Sequence, residues 1–305
     1  MPKSWMRWSL LVAALACGGC GKDSTPDPTD PTDPGPTDPG GSAERTLANC
    51  QTNIAQDAPA FFKNYFRCVN VSVSGSSVVI STQSLPPHRS AYYGTGHPNY
   101  EPFDTSRGPQ YRQNPNIIAT QSVSVTVPMQ PTPKGLTISP TMIDGVVGTS
   151  PDEYRMGAVG VALDSVALFN PLAAPGDNIE QEQYTFDSYS AHPAMRGEYH
   201  YHTASAGPLE VLKAQGLVTA TKPGTAELEV YGIFCDGTVV LGCTELNGAT
   251  PQSADFDKQN GHVHDLVDKA GTVLMASRYH THICTGRYTY KFTPEIQYYS
   301  SCVTR

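Results

Sequence analysis

The sequence has few charged residues, no basic surplus and almost no tryptophan. Charged residues make up 16% of its 305 positions, against about 25% in an average soluble protein. Lys and Arg number 20 and Asp and Glu 28, which gives a net charge of −8. The low charge argues against a coiled coil or a helical bundle. The missing basic surplus argues against a general nucleic-acid binder, so no nucleic-acid partner is expected.

The sequence also lacks the short motifs of several common enzyme classes. It contains no His-Glu-x-x-His, no Gly-x-Ser-x-Gly and no phosphate-binding loop, so no reaction is fixed by a motif. Glycine (27), proline (26), histidine (9) and cysteine (8) are plentiful instead. The first two indicate many turns and few long helices, and the positions of the last two carry most of the functional information.

The first 20 residues have the pattern of a lipoprotein-type signal peptide. Lys3 and Arg7 precede an apolar run over 8–16, which ends in Ala-Cys-Gly-Gly-Cys. This run is shorter than the ~20 residues that span a bilayer, which favours an export signal. Cys20, or alternatively Cys17, would carry the lipid, and Cys20 leaves an even number of cysteines behind it. Secretion without a lipid is the alternative.

Residues 21–43 are rich in Thr, Asp and Pro and predict a disordered tether between a lipid anchor and a folded domain. A glycine, Gly21 or Gly18, follows the candidate lipidated cysteine. It is not the Asp that commonly retains lipoproteins on the inner membrane, so we expect an outer-membrane or cell-surface position. The membrane is then one partner, held through the N-terminal lipid. The sequence does not identify a macromolecular partner.

Residues 44–305 predict a mainly β, disulfide-containing, β-sandwich-like domain with few short helices. We divide it into N-terminal strands (44–155) and a duplicated, histidine-bearing half (156–305). Alternating apolar residues and turn dipeptides predict strands, at 69–73, 78–82, 122–127, 158–163, 166–169, 229–235 and 238–241. Helices are expected only at 55–66 and 208–215.

Six cysteines remain after the signal and fit a disulfide framework in an exported protein. Their proximity in sequence suggests the pairs Cys50–Cys68, Cys235–Cys243 and Cys284–Cys302, although six cysteines allow 15 connectivities. The second pair conflicts with the predicted hairpin. Cys235 would lie beside its turn, several residue pairs away from Cys243.

The second half contains an internal duplication. The hairpin at 160–169 matches the one at 232–241, and each is followed by a Phe-Asp-x4-His motif and then a Tyr-His-x-His motif. The first copy supplies Asp187, His192, His200 and His202, and the second supplies Asp257, His262, His280 and His282. Seven of the nine histidines lie in this half.

Strand geometry predicts that these histidines converge. Alternate residues share a face of a strand, so His200 and His202 would lie about 6.6 Å apart on one face. A turn after His192 would bring that residue opposite His200. Three imidazoles in this arrangement can hold a metal ion, with Zn or Cu the best matches. His262, His280 and His282 would form a second such set. His264 would be either an additional ligand or a residue that contacts the ligands without binding the metal itself.

Asp187 and Asp257 are candidates either to bind the metal or to orient a histidine through its other ring nitrogen. The main alternative to metal binding is a network of buried structural histidines. His88 and His97 are isolated in the sequence, and we expect them to be structural or surface residues.

The chain resembles the YHYH-domain proteins, an exported bacterial family without a settled biochemical activity. The resemblance lies in Tyr199-His200-Tyr201-His202 with the preceding Phe186-Asp187 and His192-Pro193, and in Leu85-Pro-Pro-His88 and Tyr231-Gly-Ile-Phe-Cys-Asp236-Gly. It extends over about 69–302. The family pattern has a cysteine two positions after the aspartate, where this chain has Tyr189 and Gln259.

Three functions therefore compete. The first is a surface-tethered protein that binds a divalent transition metal. The second is a metalloenzyme with an open three-histidine site, hydrolytic or oxidative, with Asp187, Asp257, Tyr199 or Tyr279 as acid or base. The third is a glycan- or protein-binding module that uses its 16 tyrosines, with 91–100 as the contact surface.

Overall fold

Short apolar runs between turn residues give this protein a β architecture. The computed structural model describes residues 43–137, 156–173, 179–257, 260–284, 290–292 and 296–302. Within these residues the chain is mainly β, with two sheets and three short helices, which confirms the predicted fold class. The predicted signal peptide and all of the predicted tether except Ala43 lie outside the described residues. The described residues all belong to one compact unit, Pro36–Arg305.

The secondary-structure elements are short throughout. The strands are β1 (Asn53–Ile54), β2 (Asn70–Ser74), β3 (Ser77–Thr82), β4 (Val123–Pro128), β5 (Ala158–Ala162), β6 (Ala167–Phe169), β7 (Ala191–Pro193), β8 (Tyr199–Tyr201), β9 (Val230–Phe234), β10 (Val239–Leu241), β11 (Gly261–Val267) and β12 (Val273–His282). The helices are α1 (Ala60–Tyr65), α2 (Ile179–Glu182) and α3 (Ala206–Ala214).

The first sheet has the order β1-β2-β3-β4 and follows directly from residue alternation. In β3 the apolar residues Val78 and Ile80 are fully buried, while Val79 between them is half-buried. The tight turn from β2 to β3 uses Gly75 at φ +59°, a left-handed conformation that glycine adopts at little cost. The predicted strands at 69–73, 78–82 and 122–127 are all present.

The second sheet has eight strands in the order β11-β12-β10-β9-β5-β6-β8-β7. The first copy of the duplication forms β5 to β8 and the second forms β9 to β12. The copies meet where β5 and β9 pair in antiparallel fashion. Each copy places its edge hairpin, β7-β8 or β11-β12, at the far side of the sheet. The predicted duplication is therefore a structural repeat with a pseudo-two-fold axis between β5 and β9.

Two glycines make this central contact possible. Gly160 pairs with Phe234, and Gly232, its equivalent in the second copy, pairs with Ala162. A Cβ atom at Gly160 would collide with the carbonyl oxygen of Ile233, and one at Gly232 would collide with that of Val161. Since both obstacles are backbone atoms, neither can move aside. The two copies therefore approach each other more closely than side chains would allow.

The two sheets share one hydrophobic core. Val78 and Val127 of the first sheet belong to the same buried cluster as Val161 and Ile233 of the second. Direct hydrogen bonds also join them, since the Thr82 hydroxyl donates to the Ser165 carbonyl over 2.9 Å. The arrangement is sandwich-like, with the apolar faces of both sheets turned to one interior.

Both predicted helices form. α1 lies inside the predicted 55–66 segment and buries Phe61, Phe62 and Tyr65. α3 begins two residues before the predicted start because the hydroxyl of Ser205 accepts a hydrogen bond from Gly207 N and caps the helix. Among the described residues, no helix is long and apolar enough to cross a membrane.

The disulfides confirm one predicted pair and correct the other two. Cys50 is bonded to Cys68, as expected. Cys235 is bonded to Cys302 rather than to Cys243, so the predicted pairs Cys235–Cys243 and Cys284–Cys302 are wrong. Cys235 follows the turn end of β9, and the segment at 296–302 returns to this end. Cys243 and Cys284 are half-buried thiols.

Candidate metal-binding sites

The segment Tyr199-His200-Tyr201-His202 places two histidines on one side of the chain and two tyrosines on the other. Tyr199, His200 and Tyr201 form β8, and His202 follows directly. The β7–β8 hairpin pairs His192 with His200, as the sequence predicted. His192, His200 and His202, which we call site 1, are each at least 97% buried. One nitrogen from each lies within 4.8 Å of the others.

Backbone carbonyls fix how these rings present their nitrogens. The Nδ1 atom of His200 lies 2.9 Å from the Glu198 carbonyl oxygen, and that of His202 lies 2.7 Å from the Asn170 carbonyl oxygen. A carbonyl only accepts hydrogen bonds, so each Nδ1 must carry the proton. The Nε2 atom of each neutral ring is then an unprotonated acceptor.

The two Nε2 atoms face each other. They lie 3.0 Å apart in His200 and His202, so two lone pairs point at one another with no proton available between them. Such a contact in a buried position is unfavourable unless a cation lies between the acceptors. A metal ion can supply that cation, and a histidine held through Nδ1 by a carbonyl is the usual form of a histidine ligand.

Protonation of these imidazoles does not supply that cation at neutral pH. Burial lowers the pKa of His192 to about 3 and that of His202 to about 4. Burial, together with the neighbouring His192 and His202, holds the pKa of His200 well below its usual value. At neutral pH all three imidazoles are therefore uncharged, which is the form that binds metal.

Site 1 borders a pocket of about 530 Å³. Its apolar lining includes Phe169, whose ring stacks on His200 with the ring centres 3.9 Å apart. Its polar lining includes Arg112, Arg196 and Glu182. The Oε1 atom of Glu182 lies 3.5 Å from His192 Nε2. This volume falls within the usual range for a small-molecule pocket.

A second cluster, site 2, forms from the equivalent strands at the other edge of the sheet. It consists of Glu245, His262, His280 and His282, whose ligand atoms all lie within 4.8 Å of one another. Glu245 Oε1 is 3.2 Å from His262 Nε2 and 3.4 Å from His282 Nε2. Glu245 Oε2 is 3.2 Å from His280 Nε2, and the Nε2 atoms of His262 and His282 are 3.3 Å apart.

These separations match a tetrahedral ion. Ligands about 2.0–2.1 Å from a tetrahedral Zn²⁺ lie about 3.3–3.4 Å from each other. The carboxylate of Glu245 adds a negative charge to three imidazoles.

Site 2 repeats the carbonyl arrangement of site 1. The Nδ1 atom of His280 lies 3.0 Å from the Arg278 carbonyl oxygen, and that of His282 lies 2.9 Å from the Gly242 carbonyl oxygen. The phenylalanine of each Phe-Asp motif also repeats its contact. Phe186 stacks on His202 at an interplanar angle of 12°, and Phe256 stacks on His282 at 18°.

The first histidine of each copy differs in its Nδ1 environment. Thr185 Oγ1 lies 2.6 Å from His192 Nδ1. In the second copy Asp255 occupies the equivalent position and groups with His262 and His264. His264 is exposed and lies outside the four-residue group of site 2. Among the described residues His262 Nδ1 is buried without a hydrogen-bond partner.

Asp187 and Asp257 lie outside both clusters, which corrects their predicted role. Asp187 accepts hydrogen bonds from the Tyr199 hydroxyl over 2.6 Å and from Ser90 over 2.5 Å. Asp257 accepts one from the Tyr279 hydroxyl over 2.9 Å. Each also closes the turn before its histidine, since its Oδ1 accepts from a backbone N–H four residues on.

The tyrosines of the segment face away from the clustered histidines. Since they alternate with the histidines, Tyr199 and Tyr201 enter the core, and the Tyr201 hydroxyl donates to Asp164 over 2.7 Å. Tyr199 and Tyr279 are therefore not acids or bases for chemistry at the clusters. His88 is buried and lies 2.9 Å from the Tyr201 hydroxyl, which gives it the structural role expected of it.

The paired tyrosines of the segment at 91–100 face the interior. Tyr92 and Tyr93 are fully buried, and the Tyr93 hydroxyl donates to the Pro86 carbonyl over 2.8 Å. These two tyrosines are therefore not available for the glycan or protein contact that the sequence suggested, whereas Tyr100 is half-buried.

Glu245 and Glu182 were not predicted as site residues. The duplication could not reveal Glu245, because the position 72 residues earlier is Ala173. Glu182 belongs to α2, which has no match in the second copy at the same distance from the histidines. Carboxylates that reach a site from a loop or a short helix leave no periodic signal in the sequence.

Comparison with known families agrees with this geometry. Residues 126–250 match the family model described as YHYH protein. This segment of the chain is a YHYH domain. The matched part of this YHYH-domain protein includes all of site 1 and Glu245, and it ends before His262, His280 and His282. No curated protein and no solved structure matches the chain. The disulfides and the family together indicate an extracytoplasmic protein.

Proposed function

We propose that this YHYH-domain protein binds divalent transition-metal ions, Zn²⁺ or Cu²⁺, at sites 1 and 2, and does so outside the cytoplasm on a lipid tether. The observation that carries the proposal is the pair of opposed Nε2 atoms of His200 and His202, 3.0 Å apart. Both rings are held through Nδ1 by carbonyls and are kept neutral by burial. Imidazole nitrogens and a carboxylate suit Zn and Cu among the common metals.

The alternative of a purely structural histidine network explains less. Such a network would join each donor to an acceptor, as His88 and Tyr201 do. At both sites acceptors converge on acceptors instead. The repeat of this pattern in two copies whose surrounding residues differ supports a function for the convergence.

The lipid anchor and the outer-membrane or cell-surface location rest on the sequence. Residues 1–20 carry the signal pattern, with Cys20 or Cys17 as the lipidated residue. A metal-binding domain on a stiff tether of ~20 residues would act close to the membrane surface.

Metal content tests the proposal. The chain lacking residues 1–20 is purified, stripped with a chelator, reloaded with Zn²⁺ and analysed for bound metal. Two ions per chain are expected for the wild type and one for His200→Ala/His202→Ala. Tyr201→Phe, a change on the other face of the same strand, should keep two ions. A wild-type protein that binds no metal after reloading would refute the proposal.

A metalloenzyme is the second candidate function, and the pocket beside site 1 favours it. With Asp187, Asp257, Tyr199 and Tyr279 turned away, Glu182 is the carboxylate that borders both the pocket and His192. Nothing in the pocket fixes a reaction.

A further inference from the structure

We infer that the two metal sites have diverged, so that site 1 keeps one coordination position open to the pocket and takes a small anion there, whereas Glu245 closes site 2. This inference rests on the proposed metal binding and goes beyond it. It assigns exchangeable ligand binding to one site and a structural role to the other.

The number of converging ligand atoms differs between the sites. Within the part of the chain that the structure describes, four atoms at site 2 lie within 4.8 Å of one another, and three atoms at site 1 do. Glu245 contacts all three histidines of site 2 at 3.2–3.4 Å. At site 1 Glu182 Oε1 lies 3.5 Å from His192 Nε2, but its carboxylate is not part of the three-atom group. Four-ligand zinc sites are typically structural, and sites with three protein ligands keep a position for water or substrate.

Comparison of the two copies shows which position provides the fourth ligand at site 2 and which residue replaces it at site 1. The carbonyls of Asn170 and Gly242 hold equivalent histidines in the two copies. Three residues beyond each stand Ala173 and Glu245. The loop that brings a carboxylate to site 2 therefore has only a methyl group at the matching position of site 1.

Each site borders a pocket, but the two pockets differ. The one at site 2 measures about 280 Å³ and is lined by Glu245 and His262, but not by His280 or His282. The pocket of about 530 Å³ is lined by all three histidines of site 1. At its rim Arg112 and Arg196 are exposed, and Met195 is 88% exposed. A small molecule can thus reach the ion from solvent.

Charge selects an anion for the open position. Three neutral imidazoles leave the two positive charges of a divalent ion uncompensated, whereas Glu245 supplies one negative charge at site 2. The guanidinium groups of Arg112 and Arg196 add positive charge at the mouth of the pocket. A bound carboxylate or similar small anion would offset both. Glu182 and Glu198, which also line the pocket, are the competing carboxylates among the described residues.

Co²⁺ substitution with azide as the probe tests this inference. Visible absorption of Co²⁺ reports its coordination, and azide is a small anion that enters only an open or exchangeable position. We expect the wild type loaded with two Co²⁺ to bind one azide per chain. His280→Ala/His282→Ala, which keeps site 1, should retain the spectral change on azide addition. His200→Ala/His202→Ala, which keeps site 2, should lose it.

The matched control is a variant that should gain azide binding at site 2. Glu245→Ala removes the carboxylate from site 2, so this variant should bind two azides per chain instead of one. Azide binding at site 2 of the wild type, or none at site 1, would overturn the inference while Co²⁺ binding still stood. A wild type that holds no Co²⁺ would refute the proposed function itself. The azide titrations of the wild type and of Glu245→Ala distinguish these outcomes even if a double variant does not fold.

A separate observation assigns a third disulfide, between Cys243 and Cys284. In the parallel pair β10-β12, Leu241 lies opposite His282, and Ile283 N donates to the Leu241 carbonyl over 2.9 Å. The same register, two residues further on, sets Cys243 opposite Cys284. Burial and the neighbouring Cys243 side chain raise the pKa of the Cys284 thiol. Adjacent strands provide the short Cα separation that a disulfide requires.

Exchange with an oxidised thiol–disulfide carrier would form this bond. One thiolate attacks the carrier disulfide, the second displaces the carrier, and the products are one protein disulfide and two carrier thiols. The new bond would tie the ends of β10 and β12 beside Gly242 and His282, which belong to site 2.

Peptide mapping tests this pairing. For this experiment the protein is produced in exported form and purified without reductant. It is then treated with iodoacetamide and digested. A cross-linked peptide pair containing Cys243 and Cys284 is expected, and Cys284 should become alkylated in Cys243→Ser. Alkylation of both cysteines in the wild type, or their linkage to other cysteines, would contradict the assignment.

Discussion

Alternation along one strand separates the histidines and tyrosines of the segment at 199–202. His200 and His202 share the side that carries the converging nitrogens, with Nδ1 held by backbone carbonyls. Tyr199 and Tyr201 enter the core, where their hydroxyls donate to Asp187 and Asp164. One side of the segment is thus suited to metal binding and the other to structure.

Single substitutions should separate these two roles. Tyr201→Phe leaves the buried Asp164 carboxylate without its 2.7 Å hydrogen bond, so the free energy of unfolding should fall by about 1–3 kcal/mol with metal content unchanged. His202→Ala should instead reduce bound metal by one ion per chain. Urea unfolding of the metal-free forms and metal analysis check the two effects. Loss of metal from Tyr201→Phe would argue against the separation.

The metal-free protein should lose stability as the pH falls below about 6.5. Burial lowers the pKa of His192 to about 3 and that of His202 to about 4, whereas an unfolded histidine titrates near 6.5. Below pH 6.5 the unfolded chain therefore binds protons that the folded chain does not. The stabilisation is complete above pH 6.5 and is lost as the pH falls toward the folded pKa values.

The size of this loss can be measured by urea unfolding in the presence of a chelator. Between pH 7 and pH 5 each buried imidazole contributes at most about 2 kcal/mol. His200→Ala/His202→Ala should show a flatter decline than the wild type. A wild-type stability that rises on acidification, or an identical slope in the double variant, would contradict the burial argument.

At the scale of secondary-structure elements, the repeat explains why the structure contains two histidine clusters. Each copy contributes a hairpin at the centre of the sheet and a histidine hairpin at its edge. Parallel pairing places His200 beside Ala167 and His280 beside Val239. The sequence predicted these hairpins because turn dipeptides and apolar alternation are local signals. It also predicted the pairing of His192 with His200, which a short turn imposes.

Gly160 and Gly232 should be equally intolerant of alanine. Each faces a backbone carbonyl of the other copy across the pseudo-two-fold axis, so a methyl group forces β5 and β9 apart. We expect Gly160→Ala and Gly232→Ala each to lower the free energy of unfolding by more than about 2 kcal/mol. Chemical denaturation checks this. Near-wild-type stability of either variant would argue against the close contact of the two copies.

At the scale of the whole molecule, long-range contacts were the part that the sequence could not predict. Cys302 reaches Cys235 over 67 residues, a distance at which proximity in sequence offers no guidance. Glu245 reaches its histidines from a loop, and Tyr92 is buried because distant segments cover it. The contacts of Asp187 and Asp257 could not be predicted, because the turn that each closes and its hydroxyl partner depend on the folded hairpin.

Metal should stabilise the whole domain in proportion to the number of occupied sites. A ligand that binds only the folded state at 100 times its Kd stabilises it by about 2.7 kcal/mol. Zn²⁺ should therefore raise the Tm of the wild type, and chelation should reverse the rise. His280→Ala/His282→Ala, with one site left, should show a smaller rise. Thermal unfolding with and without Zn²⁺ measures this, and an unchanged wild-type Tm would count against two folded-state sites.

The central claim is that the duplicated histidine hairpins form two metal sites, and anomalous X-ray scattering from crystals of the metal-loaded protein tests it most directly. Data collected at the absorption edge of the bound metal should show two peaks per chain. One should lie among the Nε2 atoms of His192, His200 and His202, and the other among Glu245, His262, His280 and His282. No peak at either cluster, or metal bound by other residues, would contradict the account.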